Sequence, residues 1–145
     1  MKAAHLTPAS FAALLPDVCI RETSADPDGW TAENPLWGHC AVVSAAAQKL
    51  FGGKLLRASL EALPAFAHMR SHYINELDDG TRHDFTRAQL GDADTSGLVF
   101  EERTREYVLS HQPTRERYLV LAGRLAAAVP VDDVDAEDLY EFLID

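Results

Sequence analysis

The sequence predicts an α+β fold: a buried helix carrying a cysteine at its N-terminus, packed on a small antiparallel sheet and flanked by C-terminal helices. Three observations carry this reading. Apolar residues recur at helical spacing, then at strand spacing, then at helical spacing again, in blocks rather than in alternation. The run from Gly38 to Phe51 is apolar on nearly every side, as a buried helix is. Asp78-Asp79-Gly80 separates two strand-like arms, and a three-residue hairpin loop with Gly in the left-handed position is a common solution there. With 145 residues, the chain has the usual size of one domain, so residues 1–145 are read as a single domain ending in an acidic segment, 131–145.

Taken in order, Thr7 and Pro8 suit the N-cap and first position of a short helix containing Phe11, Leu14 and Leu15, which Pro16 is expected to end. Residues 24–38 read as a long loop, and loops of this length in compact domains tend to be functional. Trp30 and Trp37 make it too apolar for a solvated linker; they either line a cleft or anchor the loop. The helix from Gly38 ends at Gly52-Gly53. Residues 55–60 read as a strand, and 67–77 and 81–86 as the arms of the hairpin. Thr114 is a candidate cap for a helix through Tyr118, Leu121 and Leu125, and Asp135 for a last one with Leu139, Phe142 and Leu143 on one face.

Charge narrows the function classes. The chain holds 13 Lys and Arg against 23 Asp and Glu, a formal net charge of -10. Seven of those acids fall in residues 131–145, which carry no base, so residues 1–130 hold 16 acids and 13 bases, a net of -3. Phosphate contact needs clustered Lys and Arg, so neither nucleic acid nor an anionic membrane is expected as a partner. The most apolar stretch, residues 41–47, is far short of the roughly 20 residues that span a bilayer. With no signal-like N-terminus and two cysteines rather than a disulfide framework, a reducing cytoplasm is the expected setting. The arginines at 103, 105, 115, 117 and 124 stand near acids in sequence and read as an ion-paired surface.

Cys40 is the first residue to single out for chemistry. It lies in the first turn of the buried helix, where free backbone N–H groups and the helix dipole favour a thiolate. Against this, a free cysteine is often only a small buried hydrophobe, and Cys19 reads as one. If Leu77 sits opposite Thr81, His72 sits opposite Thr86 and Asp84 becomes its diagonal neighbour on one face, within reach of an Asp–His hydrogen bond. That face would carry His68, Arg70, His72, Ile74 and Glu76. A two-residue Asp79-Gly80 turn would place His72 and Asp84 on opposite faces. A nucleophile needs a base, and the base needs an acceptor that orients it, so Cys40, His72 and Asp84 form the candidate catalytic set. The Cys40 N–H is one candidate oxyanion donor, and Asn34 or His39 a second. Trp37 is a candidate substrate contact. His68 and His72, about 13 Å apart at ~3.3 Å per strand residue, are too far apart for one ion. Nucleotide-binding, serine-hydrolase and zinc-protease motifs are absent, so no cofactor and no metal is expected.

The run Asn34-Pro35-Leu36-Trp37-Gly38-His39-Cys40-Ala41-Val42-Val43, followed by Phe51-Gly52-Gly53-Lys54-Leu55-Leu56, resembles the YunG-like family of small bacterial proteins. So do Ser71 to Asn75, the Asp79-Gly80 turn, Asp84 to Leu90 and Arg117-Tyr118. The resemblance spans about residues 30–121. The chain departs from the family at the residue before the cysteine, where Gln is usual and His39 stands here. The family has no established activity to carry over, but its Cys–His–Asp order is similar to that of papain-like and NlpC/P60-type cysteine hydrolases, which implies a papain-like core. The expected function is that of a cysteine-dependent hydrolase or acyl-transfer enzyme acting on a protein, peptide or small amide. The alternative is a non-catalytic binding or regulatory protein on the same fold, with the acidic segment docking on a partner or packing on its own body. Masking of a basic enzyme in the manner of an immunity protein has only the charge in its favour.

Overall fold

The computed structural model describes residues 6–130 and 135–145. Helix α1 spans Pro8–Val18 and opens with a capping box: Thr7 Oγ1 accepts from the Ser10 N–H at 3.1 Å, and Ser10 Oγ accepts from the Thr7 N–H at 2.8 Å. The helix does not end at Pro16. That proline removes only its own N–H bond, while Phe11, Leu15 and Val18 are all buried on one side and hold the last turn in place. The following loop includes a 3-10 turn at Arg21–Thr23 and is latched along its length. The Ala25 N–H donates to the Gly38 carbonyl at 2.9 Å, Ser24 Oγ to the Trp37 carbonyl at 2.6 Å, and Trp30 Nε1 to the Pro35 carbonyl at 2.9 Å. Both tryptophans thus anchor the loop.

Helix α2 spans Cys40–Phe51 and begins two residues later than the pattern predicts, because Gly38 holds a non-helical φ of 78°. Gly52 ends it at φ 76°. At Gly53, φ 79°, a Cβ would fall 2.2 Å from the Glu76 carbonyl oxygen, so only glycine lets strand β1 start so close to the end of strand β2.

Strands β1 (Lys54–Ser59), β2 (Ser71–Glu76), β3 (Arg82–His83) and β4 (Phe100–Arg103) form one antiparallel sheet in the order β3-β2-β1-β4. The hairpin has the three-residue loop. Glu76 pairs with Arg82, Asn75 with His83, and the Leu77 N–H donates to the Thr81 carbonyl at 2.8 Å, with Gly80 at φ 84°. Its arms are shorter than the sequence suggests. Pro64–Met69 form a 3-10 helix, and Arg70 holds a positive φ of 68°. His68, Met69 and Arg70 therefore leave the strand, and the alternation of faces begins only at Ser71.

Strand β4 and the short helix α3 (Arg105–Ser110) have no counterpart in the sequence reading. The strand is mostly charged, as edge strands often are, and the helix is too short to show a period. Helix α4 (Gln112–Ala128) starts before Thr114, which is buried in its first turn instead of capping it. Asp135 does cap helix α5 (Ala136–Ile144), accepting from the N–H groups of Glu137 at 2.9 Å and Asp138 at 3.3 Å.

The main core lies between helices. Phe11 and Leu15 from α1, the Ala45-Ala46-Ala47 run of α2, Leu121 and Leu125 from α4, and Leu139 and Leu143 from α5 are fully or almost fully buried together. The alanines leave room for α4 to lie close on α2. A second, smaller cluster joins Cys40 to Leu55 and Tyr73 of the sheet and Val108 of α3. Cys40 thus stands where the helical core meets the sheet. Among the described residues, no helix is long and apolar enough to cross a membrane.

Candidate active site

The turn before Cys40 is built for one residue type. At Gly38 a Cβ would lie 2.2 Å from Ser24 Oγ and 2.9 Å from the Ala25 nitrogen. The Gly38 N–H donates to Gln89 Oε1 at 2.9 Å, and Gln89 Nε2 donates to Thr86 Oγ1 at 2.9 Å. Gln89, buried, therefore ties the turn that presents Cys40 to the segment that presents Asp84. Sequence reasoning did not single it out, since nothing in its spacing marks a residue that bonds to backbone 51 positions away.

Helix α2 makes its first backbone bond from the Val43 N–H to the His39 carbonyl at 2.9 Å, so the N–H groups of Cys40, Ala41 and Val42 stand outside the helical ladder. The Cys40 thiol donates to the Ser71 carbonyl at 3.7 Å and is 9% exposed. His72, at the start of β2, is 1% exposed. Its Nε2 meets Asp84 Oδ2 at 2.8 Å. The other ring nitrogen, Nδ1, makes no hydrogen bond, and the Cys40 thiol is the second acidic group that acts on the ring. Burial opposes charge on this imidazole, but Asp84 and Cys40 outweigh it and push His72 up to about 9. The three candidate residues are thus brought together: α2 supplies the thiol, β2 the imidazole and the end of the hairpin the carboxylate.

The remaining candidates separate. His39 is fully buried and uses both ring nitrogens, Nε2 with Thr23 Oγ1 at 2.7 Å and Nδ1 with the Trp37 carbonyl at 2.9 Å. Because a carbonyl can only accept, Nδ1 carries the proton and Nε2 accepts from the threonine. Burial pushes His39 down to about 4. It is a neutral structural bridge with no donor left to offer an oxyanion. Asn34 lies in a tight turn, its N–H donating to the Thr31 carbonyl at 3.1 Å and its carbonyl accepting from the Trp37 N–H at 3.1 Å, and it does not line the cavity at Cys40. Trp37 is half-buried. Its Nε1 donates to Asp26 Oδ2 at 2.9 Å, and its ring lies 5.8 Å from that of His68. It braces the cavity rim from behind.

That cavity measures about 760 Å³, within the range of small-ligand sites. Cys40 forms part of its wall with Asp26 and Gly38 of the loop, Arg57 and Tyr73 of the sheet, His68 and Arg70 before β2, and Tyr107, Thr114 and Arg117 of the later helices. His72 is not in the wall. The arginines expected on an ion-paired surface divide. Arg103 does pair with Glu101 at 3.4 Å. Arg105 instead donates to the carbonyls of Ala45 at 2.7 Å and Leu143 at 2.6 Å, and Arg124 to that of Val18 at 2.9 Å. Arg117 donates to Thr114 Oγ1 at 3.2 Å and faces the cavity. Among the described residues, no group of three His, Cys, Asp or Glu side chains is placed to hold a metal ion.

The model of a family described as YunG protein matches residues 7–130, and the chain belongs to that family. No curated protein matches it, and no solved structure does.

Proposed function

We propose that the chain is a cysteine-dependent hydrolase or acyl-transfer enzyme acting on an amide, peptide or isopeptide. One observation carries the reading: an imidazole oriented on one nitrogen by Asp84 has its other nitrogen free beside a thiol that opens onto a cavity. Cys40 Sγ attacks the carbonyl carbon as a thiolate, its proton held on His72 Nδ1. The oxyanion meets the Cys40 N–H at the start of α2. The C–N bond breaks, and the leaving nitrogen takes the proton from His72. Water or an amine then attacks the thioester and restores the thiol. The Cys–His–Asp order, similar to that of papain-like and NlpC/P60-type enzymes, supports the same reading.

A second reading, a binding protein on a hydrolase-like fold, is favoured by one feature: His72 lies behind the thiol and off the cavity wall. Alkylation of the native protein separates the two. For catalysis, iodoacetamide modifies Cys40 at neutral pH and leaves Cys19 untouched, whose thiol burial pushes up to about 12. His72→Gln slows the Cys40 reaction by at least about tenfold, a lower bound set below the roughly 10²–10⁴-fold that a positioned base contributes. A Cys40 that stays unmodified at neutral pH would sink the catalytic reading.

A further inference from the structure

The cavity at Cys40 has a charge opposite to that of the chain. Its wall carries three guanidinium groups, Arg57, Arg70 and Arg117, against one carboxylate, Asp26, in a protein of net charge -10. That carboxylate is already engaged, by Trp37 Nε1 at 2.9 Å and His68 Nε2 at 3.5 Å. The arginines are not. Among the described residues none of the three forms an ion pair; Glu101, opposite Arg57 in the sheet register, is taken by Arg103 at 3.4 Å. Arg117 is half-buried, its Nε is buried without a partner, and it lies near enough to Cys40 for their charges to interact. Partly desolvated guanidinium groups without carboxylates are costly to keep unless an anion arrives, and their planar fork matches a carboxylate.

We infer that the Cys40 cavity takes a substrate bearing a carboxylate close to its scissile acyl carbon, held by Arg117 and Arg57. This rests on Cys40 being the reacting group. The carboxylate lies on the acyl part or on the amine that leaves, and a volume of about 760 Å³ holds an amino-acid amide or a short peptide end. Arg70, exposed at the rim, draws the anion in.

The test compares two alkylating reagents of similar size, anionic iodoacetate and neutral iodoacetamide, on the native protein. Relative to reduced glutathione, the ratio of iodoacetate to iodoacetamide rates at Cys40 rises by about tenfold or more at low salt and declines as salt is added. Arg117→Gln and, separately, Arg57→Gln lower the ratio at least about threefold, while Arg115→Gln, on the exposed side of α4, leaves it unchanged. A ratio at or below that of glutathione, unmoved by either variant, overturns the inference even if Cys40 reacts readily. If Cys40 reacts with neither reagent, the catalytic reading fails, and the cavity is read separately. Glutarate is titrated into Cys40→Ala protein and followed by amide NMR shifts, with phosphate as the second arm. Saturable shifts with glutarate, lost in Arg117→Gln, keep the anion site. No shift, or shifts with phosphate alone, overturns the carboxylate assignment.

Discussion

At the scale of single residues, two buried histidines answer the same solvent in opposite ways. His39, locked between a carbonyl and a threonine, is held neutral and pushed down to about 4. An unfolded chain takes up that proton near pH 6.5, so stability is lost as the pH drops from about 6.5 through 4, by at most about 3 kcal/mol. His72, between Asp84 and Cys40, is pushed up to about 9. Its contribution is complete below pH 6.5 and is lost as the pH rises through 9. Urea midpoints measured across pH are therefore expected to peak near 6.5. His39→Gln should flatten the acid limb and His72→Gln the alkaline one; limbs that survive their own variant would show that other groups govern them. Strand pairing with a three-residue loop puts His72 beside Asp84, and the start of a buried helix singles out Cys40, because both are local rules; nothing in the spacing brings the thiol to the imidazole. The fate of His39 and the facing of Arg117 were not legible, because both depend on partners far away in sequence, Thr23 for one and the cavity for the other.

At the scale of elements, the turn from Trp37 to Cys40 and the hairpin loop set the site. Asp78-Asp79-Gly80 leaves two hairpin registers open, a three-residue loop or a two-residue Asp79-Gly80 turn, and the structure takes the first, with Gly80 at φ 84°. The strand lengths do not follow from the pattern, because Pro64 starts a 3-10 helix that takes residues 64–69 out of the sheet. Strand β4 and helix α3 are short and charged, and their places come from pairing with β1 and packing on α4 rather than from any period of their own. Gly38→Ala tests the turn. The new methyl group would meet Ser24 Oγ and the Ala25 backbone at a positive φ, so a loss of about 2 kcal/mol or more in stability is expected in urea titration. Slower alkylation of Cys40 should accompany it. A neutral substitution would show that the loop from 24 to 38 can shift without cost.

At the scale of the whole molecule, the described part of the acidic segment, residues 135–145, is part of the core, while residues 131–134 lie outside the described residues. Helix α5 turns Glu137, Asp138 and Glu141 to water while Leu139 and Leu143 are fully buried. The Leu143 carbonyl accepts from Tyr118 Oη at 2.6 Å and from Arg105 at 2.6 Å, and Arg105 also holds α2 at Ala45. Leu143→Ala is expected to cost about 3 kcal/mol, and removal of residues 135–145 to abolish the cooperative urea transition by baring this surface. A truncated chain with an unchanged midpoint would mark the segment as a mere appendage. Amphipathic spacing and the Asp135 cap made this helix visible in the sequence. Its bond to Arg105 was hidden, since an arginine surrounded by acids in sequence donates in fact to carbonyls.

The amide clamp of Gln89 also makes the molecule its own reporter. The Gly38 N–H is protected by a side chain 51 residues away and not by any helix or sheet, so it exchanges with deuterium only when the two halves of the site part. Its exchange rate therefore measures how often Cys40 and Asp84 lose their common frame. That single backbone signal, compared with amides deep in α2 such as Ala46, tells whether the site opens alone or only when the whole chain unfolds.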